Sequence, residues 1–286
     1  MQVTGNNQFV RVVNPTLYDK NQILSIRLSA DGFSFSILDP SGKQSFLYTS
    51  VPVDPSISLT ANIKQTLAGN DLLCSKSYAR INVLLDTPNW SVVPLEMFED
   101  EQAEIWHKHC HHVTCGEKVL YNILDRSNAV IVFAMEQAAW QLVQEIWPGA
   151  YVYASITPVI NHLALKKKSS IPVANRKTYI HQGRRSVDVV VFDHNVPLVL
   201  NTFPCRSVAD SCYYVLNLWK QLALNQELDE LYLIGTSTEN EELAVALRPY
   251  IKTVVVVNPM AEFNRSEVAA YEGIPYDMLA LLHVNS

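Results

Sequence analysis

Arg27 and His181 stand at equivalent positions in two segments of the chain that repeat one another. Residues 23–39 (ILSIRLSADGFSFSILD) align without a gap to residues 177–193 (KTYIHQGRRSVDVVVFD), and each segment has the apolar alternation of a β-hairpin. One such hairpin in each half predicts two similar lobes with a cleft between them. We expect Arg27 and His181 to line that cleft, where an arginine is a permanent cation and a histidine titrates near neutral pH.

The densest group of potential metal ligands is the run WHKHCHHVTC, residues 106–115. On a helix, His107 and His111 would share a face, with Cys110 and Cys115 close by. Zinc needs about four such ligands in a tetrahedral array, and the run lacks the paired spacing of CxxC or HExxH sites. The alternative, which we favour, is a histidine-rich helix end that the helix dipole stabilises.

Motifs for nucleotide or acyl chemistry are absent from the sequence, which has no GxxxxGK[ST], GxGxxG or GxSxG. Isolated serine, histidine and aspartate residues give no basis for a catalytic triad. Gly235, with Thr236 and Ser237 after it, directly follows an apolar run of strand length. A single glycine after a strand is, however, more often an ordinary turn.

The elements that must position these residues follow a similar order in both halves. After the first hairpin the pattern predicts a strand at 44–51, a helix at 59–68, a strand at 80–86, a helix at 100–109, strands at 119–124 and 129–134, and helices at 136–147 and 156–165. After the second hairpin it predicts a strand at 196–204, a helix at 209–225, a strand at 230–234, a helix at 241–250, a strand at 253–257 and a helix at 276–282. Strand triplets followed by alternating helices and strands predict a mixed α/β fold.

The duplication also predicts the domain organisation. We expect a first lobe at residues 1–168, with an inserted subdomain at about residues 89–150, and a second lobe at residues 169–286. The run KKKSSIP at residues 166–172 is polar, charged and contains proline, which predicts a linker in a solvated surface loop.

Composition narrows the class of protein. The 22 Lys and Arg residues face 28 Asp and Glu residues, and the net charge of −6 argues against a sequence-independent nucleic-acid binder. No apolar run approaches the roughly 18 residues of a membrane helix, and the N-terminus lacks the pattern of a signal peptide, so we expect no membrane insertion. The five cysteines are odd in number and scattered, which favours free thiols in a reducing compartment. We therefore expect a cytoplasmic protein.

The whole pattern resembles the actin-like ATPase fold, which is related to that of ribonuclease H and is shared by actin, sugar kinases and Hsp70-type chaperones. It is most similar to the cytoplasmic actin-like proteins of type IV pilus and type II secretion assemblies. The motifs that carry this resemblance are the second hairpin with its third strand (IHQGRRSVDVVVFDHNVPLVLNTFP), a P-x-x-x-F entry at residues 94–98 before an acidic helix, and LYLIGTSTENEELAVAL, which resembles an adenosine motif. The chain is also identified as a member of an uncharacterised bacterial family that has this fold and no assigned function.

The resemblance implies a lost active site. In this fold a carboxylate at the end of the first strand of each lobe holds Mg²⁺ and positions the attacking water. Here Arg27 and His181 replace these acids and Ser29 replaces a glycine, whereas Gly183 and Ser186 are retained. An arginine cannot bind Mg²⁺, and a neutral histidine is a poor ligand for it. ATP hydrolysis by the usual mechanism is therefore not expected, and the same substitutions argue against a ribonuclease H-type nuclease, which also needs clustered carboxylates on these strands.

The sequence thus predicts no catalytic residue, and whether the chain is an enzyme stays open, with the replaced acids favouring a non-enzyme. Asp31, Asp39 and Asp193 are interpreted as turn or strand-end residues. The residues of a degenerate nucleotide-binding cleft are Arg27, Ser29, His181, Gly183, Ser186 and Gly235.

Three functions remain after these steps. The first is a non-catalytic interaction or scaffold module with an unidentified protein partner, in which Arg27 and His181 bind an anion or a carboxylate of the partner. The alternative is a protein that binds ATP with Mg²⁺ or another nucleotide and hydrolyses it slowly or not at all. The third is an enzyme that uses the cleft for other chemistry.

Overall fold

The computed structural model describes residues 9–11, 21–29, 32–40, 46–54, 56–74, 78–112, 116–165, 176–183, 185–194, 196–235, 239–264, 268 and 273–284 of the 286-residue chain. The strands, in chain order, are β1 (Phe9–Arg11), β2 (Ile23–Ser29), β3 (Gly32–Leu38), β4 (Phe46–Val51), β5 (Arg80–Leu85), β6 (Trp90–Pro94), β7 (Glu117–Leu124), β8 (Ala129–Glu136), β9 (Tyr151–Ala154), β10 (Lys177–Gln182), β11 (Ser186–Asp193), β12 (Val196–Pro204), β13 (Glu230–Ile234) and β14 (Thr253–Val256). The α-helices are α1 (Leu59–Ala68), α2 (Asp71–Cys74), α3 (Ala103–Cys110), α4 (Gln137–Ile146), α5 (Ile156–Leu165), α6 (Val208–Gln221), α7 (Glu239–Leu247), α8 (Pro259–Glu262) and α9 (Tyr276–Val284).

The described strands form three sheets. A six-stranded sheet has the order β1-β4-β3-β2-β5-β9, and a five-stranded sheet has the order β12-β11-β10-β13-β14. A three-stranded sheet, β6-β8-β7, is formed by residues that lie between β5 and β9 in the chain. The lobe boundaries that we infer from the sequence stay a prediction.

The two repeated hairpins have the same pairing. Arg27 on β2 lies opposite Ser34 on β3, and His181 on β10 lies opposite Asp188 on β11, at the same offset along the chain. The first strand of each hairpin also pairs in parallel with a later strand: β2 pairs with β5, and β10 pairs with β13. The repeat predicted from the sequence is therefore present in the structure.

Packing joins the two large sheets. One apolar core extends from the six-stranded sheet through α4, α5 and α9 to Tyr179, Phe192 and Ile234 of the five-stranded sheet. A second core fills the space between the five-stranded sheet and helices α6 and α7. The last helix, α9, packs against α5, so the end of the chain contributes to the core of the first sheet.

Several predicted bounds were wrong, for identifiable reasons. The helix predicted at 209–225 ends at Gln221, because Leu222 caps it and Ala223 has a positive φ of 49°. The helix predicted at 100–109 begins with a 3₁₀ turn at Asp100–Gln102 before α3. The strands β6 and β9 were not predicted, since each is short and lacks a clear alternation. The predicted linker at 166–172 and Asp31 lie outside the described residues.

None of the helices in the described part of the chain is long and apolar enough to span a membrane. The four cysteines with a described position are free thiols: Cys74, Cys110, Cys205 and Cys212.

Candidate functional site

Arg27 lies near the end of β2 and is bound by two carboxylates of the chain itself. Its Nε donates a hydrogen bond to Asp277 Oδ2 at 2.7 Å, and its Nη2 donates to Asp86 Oδ2 at 2.9 Å. Ser29 donates its hydroxyl to the same Asp86 oxygen at 2.8 Å. The side chain of Asp277 is 0% exposed and that of Arg27 is 16% exposed, so this ion pair is largely shielded from water.

The elements explain why these groups meet. Asp86 directly follows β5, which runs parallel to β2 and places Leu84 opposite Arg27. The carboxyl ends of parallel strands lie at the same edge of a sheet, so Asp86 reaches the end of β2. Asp277 lies in the first turn of α9, where its Oδ1 accepts a hydrogen bond from the backbone N–H of Met278 at 2.8 Å. The Asp277 carboxylate thus accepts hydrogen bonds both from a backbone N–H at the start of α9 and from the Arg27 guanidinium.

His181 has a carboxylate partner of its own on the neighbouring strand. Its Nδ1 lies 3.2 Å from Asp188 Oδ2, across the β10–β11 pair. The other carboxylate oxygen, Oδ1, accepts a hydrogen bond from Trp90 Nε1 at 3.2 Å. Because Trp90 belongs to β6, Asp188 ties the three-stranded sheet to the five-stranded sheet.

The electrostatics of His181 connect the two groups. Burial lowers the pKa of His181, but the hydrogen bond and charge of Asp188 and the charges of Asp277 and Asp86 outweigh it, so the pKa is raised above its ordinary value. The carboxylates that hold Arg27 therefore also act on His181. We call these five residues, Arg27, Asp86, His181, Asp188 and Asp277, the charge network.

The predicted glycines have structural uses beside this network. Gly235 follows β13 with a φ of +105°, and a Cβ atom there would lie 3.4 Å from His181 Cδ2. Gly183 donates its backbone N–H to the Ser186 carbonyl at 2.9 Å, and a Cβ atom on Gly183 would lie 3.1 Å from that oxygen. Of the predicted cleft residues, Arg27 and His181 thus belong to the charge network, and Ser29 and Gly235 contact it. Gly183 and Ser186 instead close the tip of the second hairpin.

The two carboxylates that a metal ion could use beside Arg27 are both paired with its guanidinium. Asp277 is fully buried and could bind a metal ion only by giving up its hydrogen bond to Arg27, and breaking a buried ion pair costs about 3–5 kcal/mol. Asp86 is 33% exposed and binds Arg27 and Ser29 through Oδ2. Within the ranges that the structure describes, no group of three or more His, Cys, Asp or Glu residues is arranged to hold a metal ion.

The His/Cys run is a separate group at the end of α3. The ring centroids of His107 and His111 lie 4.9 Å apart, although α3 ends at Cys110 and His111 is its extended C-cap residue. Burial lowers the pKa of both imidazoles, and His107 Nε2 lies 3.8 Å from Glu117 Oε2. Cys110 is exposed, and Cys115 lies outside the described residues. The zinc interpretation stays a hypothesis.

Four residues of the site were missed at the level of sequence: Trp90 and the carboxylates Asp86, Asp188 and Asp277. Each carboxylate is an isolated acid in or beside an apolar element, in RINVLLD, SVDVVVFD and YDMLALLHV. An unpaired charge is costly to bury, so an acid inside an apolar run indicates a partner elsewhere in the fold. The position of these acids in apolar runs therefore predicts that each has a polar partner, but it does not identify the partner residue.

The fold and family of the chain can be compared with known proteins. A family model described as "Protein of unknown function (DUF3822)" matches residues 14–254. A crystal structure from Bacteroides thetaiotaomicron VPI-5482, described as a protein with an actin-like ATPase fold and unknown function, superposes with a TM-score of 0.81 at 37% sequence identity. The match covers 92% of this chain and 96% of that one.

A more distant similarity gives the same fold. A chain of the PilM–PilN type IV pilus biogenesis complex superposes with a TM-score of 0.60 at 13% identity, and the match covers 92% of this chain and 97% of that chain. A comparison with curated proteins found no match. The predicted fold, mixed α/β and actin-like, is thereby confirmed.

Proposed function

The chain belongs to the DUF3822 family of actin-like fold proteins of unknown function, and from this premise we propose that it is a non-catalytic interaction or scaffold module. The observation that carries the proposal is the pairing of Arg27 with Asp86 and Asp277. A cation occupies the position that a metal-binding acid would need, and the nearby acids neutralise that cation.

The charge network also opposes the motion of a nucleotide cycle. Proteins of two lobes close around ligands by hinge or shear movements, which require an interface that can open. Here Arg27 on the six-stranded sheet donates a hydrogen bond to Asp277 on α9. Trp90 on the three-stranded sheet donates a hydrogen bond to Asp188 on the five-stranded sheet. A continuous apolar core joins the same elements. These contacts support a rigid body that presents fixed surfaces.

A protein partner is part of the proposal. A solved protein with this fold occurs in the PilM–PilN complex, which gives a precedent for a member of the fold that works with a protein partner. At 13% identity the similarity supports the fold alone, so the partner of this chain is not inferred from it.

The alternative, binding of ATP or another nucleotide without fast hydrolysis, is supported by Gly235. Its φ of +105° after β13 suits a backbone turn that approaches a ligand closely. The same glycine leaves room for the His181 ring, however, so its conformation already has a use inside the protein.

Calorimetry and a turnover assay test the proposal together. We expect no heat of binding when ATP and Mg²⁺ are titrated to millimolar concentration, and no phosphate release above that of buffer. An actin-like ATPase measured in parallel provides the positive control. Saturable ATP binding would overturn the proposal in favour of the alternative, and turnover that is lost in His181→Ala would establish an enzyme.

A further inference from the structure

The three-stranded sheet is covered unevenly on its two faces. One face packs in the apolar core that is shared with the large sheets. The other face has a small apolar core of its own, formed by Val93, Val130 and Val132. In the described part of the chain this second face is covered by α3 and by residues 95–98, which begin with a 3₁₀ turn. A cover of one short helix and one turn leaves apolar side chains at the margin of the face.

Four neighbouring apolar residues at this margin are partly or largely exposed. The ring centroids of Phe98 and Tyr121 lie 4.9 Å apart, and both side chains are partly exposed. Ile123 lies two residues after Tyr121 on β7, on the same face of the sheet, and is 47% exposed. Met97 directly precedes Phe98 and is 55% exposed. We call Met97, Phe98, Tyr121 and Ile123 the outer surface.

The composition of the outer surface is that of an interface. Single exposed apolar residues are normal in soluble proteins, whereas a contiguous group of them indicates that another molecule covers it. Aromatic rings and methionine are enriched in the surfaces by which proteins bind one another. The outer surface combines both kinds of side chain with an exposed isoleucine.

Acidic residues accompany the outer surface. The ten residues 95–104 contain no lysine or arginine and five exposed acids: Glu96, Glu99, Asp100, Glu101 and Glu104. Glu104 forms an ion pair with Lys108, and the other four make no ion pair within the ranges that the structure describes. A hydrogen bond to Asp100, burial and the charges of Asp100 and Glu101 raise the pKa of Tyr121, so these acids lie beside the aromatic pair.

The charge of these acids decides which kind of partner fits. They repel nucleic acids and the anionic lipids of membranes, since both present negative charge. They also disfavour a second copy of the chain, because a twofold contact would place the same acids against each other. Lysine and arginine side chains, in contrast, form ion pairs with exposed carboxylates. A protein segment with an apolar anchor and basic residues beside it therefore complements both features.

We propose that the outer surface binds a basic segment of a partner protein. The segment places an apolar side chain against Phe98, Tyr121 and Ile123, and its lysines or arginines pair with the acids of residues 96–101. The proposal rests on the function as an interaction module and names the class of partner. The three-stranded sheet is then the part of the molecule that docks, and the hydrogen bond of Trp90 to Asp188 fixes it to the five-stranded sheet.

Selection from a phage library of short random linear peptides tests the proposal. Wild-type protein is the target, and the double variant Glu99→Lys/Glu101→Lys is the counter-target. We expect the enriched peptides to contain lysine or arginine next to a bulky apolar residue. A synthetic enriched peptide, measured by fluorescence anisotropy, should bind the double variant at least about tenfold more weakly than wild type, because like charges would then face each other.

Ile123→Thr tests the apolar part of the outer surface. The substitution keeps a β-branched residue on the strand and removes apolar area, so it should weaken the same peptide severalfold. Val245→Thr is the matched control, since Val245 is 64% exposed on α7, and it should leave the affinity unchanged. Glu241→Lys/Glu242→Lys on the same helix is the control for the charge reversal. All substituted residues are exposed, so circular dichroism should show the same folded state in every variant.

Defined results would overturn the proposal. One is a selection that enriches no peptide, or that enriches acidic peptides. Another is an affinity that neither Glu99→Lys/Glu101→Lys nor Ile123→Thr weakens. A wild-type dimer in sedimentation equilibrium that dissociates in Ile123→Thr would assign the outer surface to a second copy of the chain instead.

The outcome is independent of the nucleotide titration. If ATP binds and the basic peptide also binds, the non-catalytic function fails and the docking surface stands. If neither binds, the docking surface alone fails.

Discussion

The Nε of Arg27 donates a 2.7 Å hydrogen bond to the carboxylate of Asp277, although 250 positions of sequence separate the two residues. The pair joins the second strand of the chain to its last helix, with Asp86 as a further partner of the guanidinium. Arg27 therefore stabilises the packing of α9 against the six-stranded sheet.

Asp277→Asn should destabilise the protein strongly. The substitution preserves the shape of the side chain and removes its charge, so the shielded guanidinium of Arg27 loses one of its two carboxylates. Breaking a buried pair in this way costs about 3–5 kcal/mol of the free energy of unfolding. Urea denaturation followed by circular dichroism measures the loss.

Two variants control that measurement. Glu227→Gln breaks an exposed ion pair, because the side chains of Glu227 and Lys252 are 71% and 65% exposed. It should lower the free energy of unfolding by less than about 1 kcal/mol. The double variant Arg27→Met/Asp277→Leu removes both charges and should lose less stability than Asp277→Asn, because no unpaired charge remains buried. Equal losses in Asp277→Asn and Glu227→Gln would contradict the role of the pair.

His181 should make stability depend on pH with a defined sign. Its pKa in the folded protein is raised above the ordinary value of about 6.5 because the effects of Asp188, Asp277 and Asp86 outweigh burial. Its contribution to stability is therefore fully present below the ordinary pKa and is lost as pH rises through the folded pKa. We expect the stability advantage of wild type over His181→Gln to shrink as pH rises.

A histidine with the opposite shift provides the control for this pH dependence. Burial lowers the pKa of His111, so its contribution is present above the ordinary pKa and is lost as pH falls. The advantage of wild type over His111→Gln should therefore grow as pH rises. Urea denaturation of the three proteins between about pH 6 and pH 9 measures both trends. Parallel trends in the two variants would show that His181 is not held protonated by the carboxylates.

The sequence allowed the repeated hairpins to be predicted because their pattern is local. Alternation of apolar residues sets each strand, and the ungapped alignment sets the equivalence of Arg27 and His181, which the shared register confirms. The actin-like fold followed from the order of elements and from the resemblance. Short strands such as β6 were missed because five residues carry too little periodicity.

The partners of the two cations could not be predicted, because they depend on tertiary packing. Asp277 contacts Arg27 only when α9 packs beside α5. Trp90 contacts Asp188 only when the three-stranded sheet lies against the five-stranded sheet. Nothing in the local sequence encodes these distances. The prediction that Arg27 and His181 are available to an outside anion therefore missed the internal carboxylates that bind both side chains.

Trp90→Phe should cost more stability than the same substitution at Trp219. Both indoles are buried, but Trp90 Nε1 donates to the Asp188 carboxylate, whereas Trp219 Nε1 has no hydrogen-bond partner within the described residues. Hydrogen bonds to charged groups contribute about 1.5–3 kcal/mol, and the loss of ring volume is the same in both variants. Urea denaturation should thus give a larger loss for Trp90→Phe by about that amount. Equal losses would mean that the contact between the inserted sheet and Asp188 contributes packing alone.

Gly235→Ala should destabilise the protein, although it adds a single methyl group. Gly235 has a φ of +105°, which an alanine rarely adopts, and the new Cβ would lie 3.4 Å from the His181 ring. We expect a loss of more than about 1 kcal/mol in the free energy of unfolding, since an incompatible backbone conformation costs more than the usual gain from replacing glycine. Gly69→Ala is the matched control, because its φ is −98° and the nearest atom to its Cβ lies at 3.9 Å. That variant should be neutral or gain up to about 1 kcal/mol.

Gly235→Ala should also shift the titration of the His181 imidazole measured by NMR, because the ring must move relative to Asp188. An unchanged titration together with unchanged stability would show that Gly235 does not position the ring.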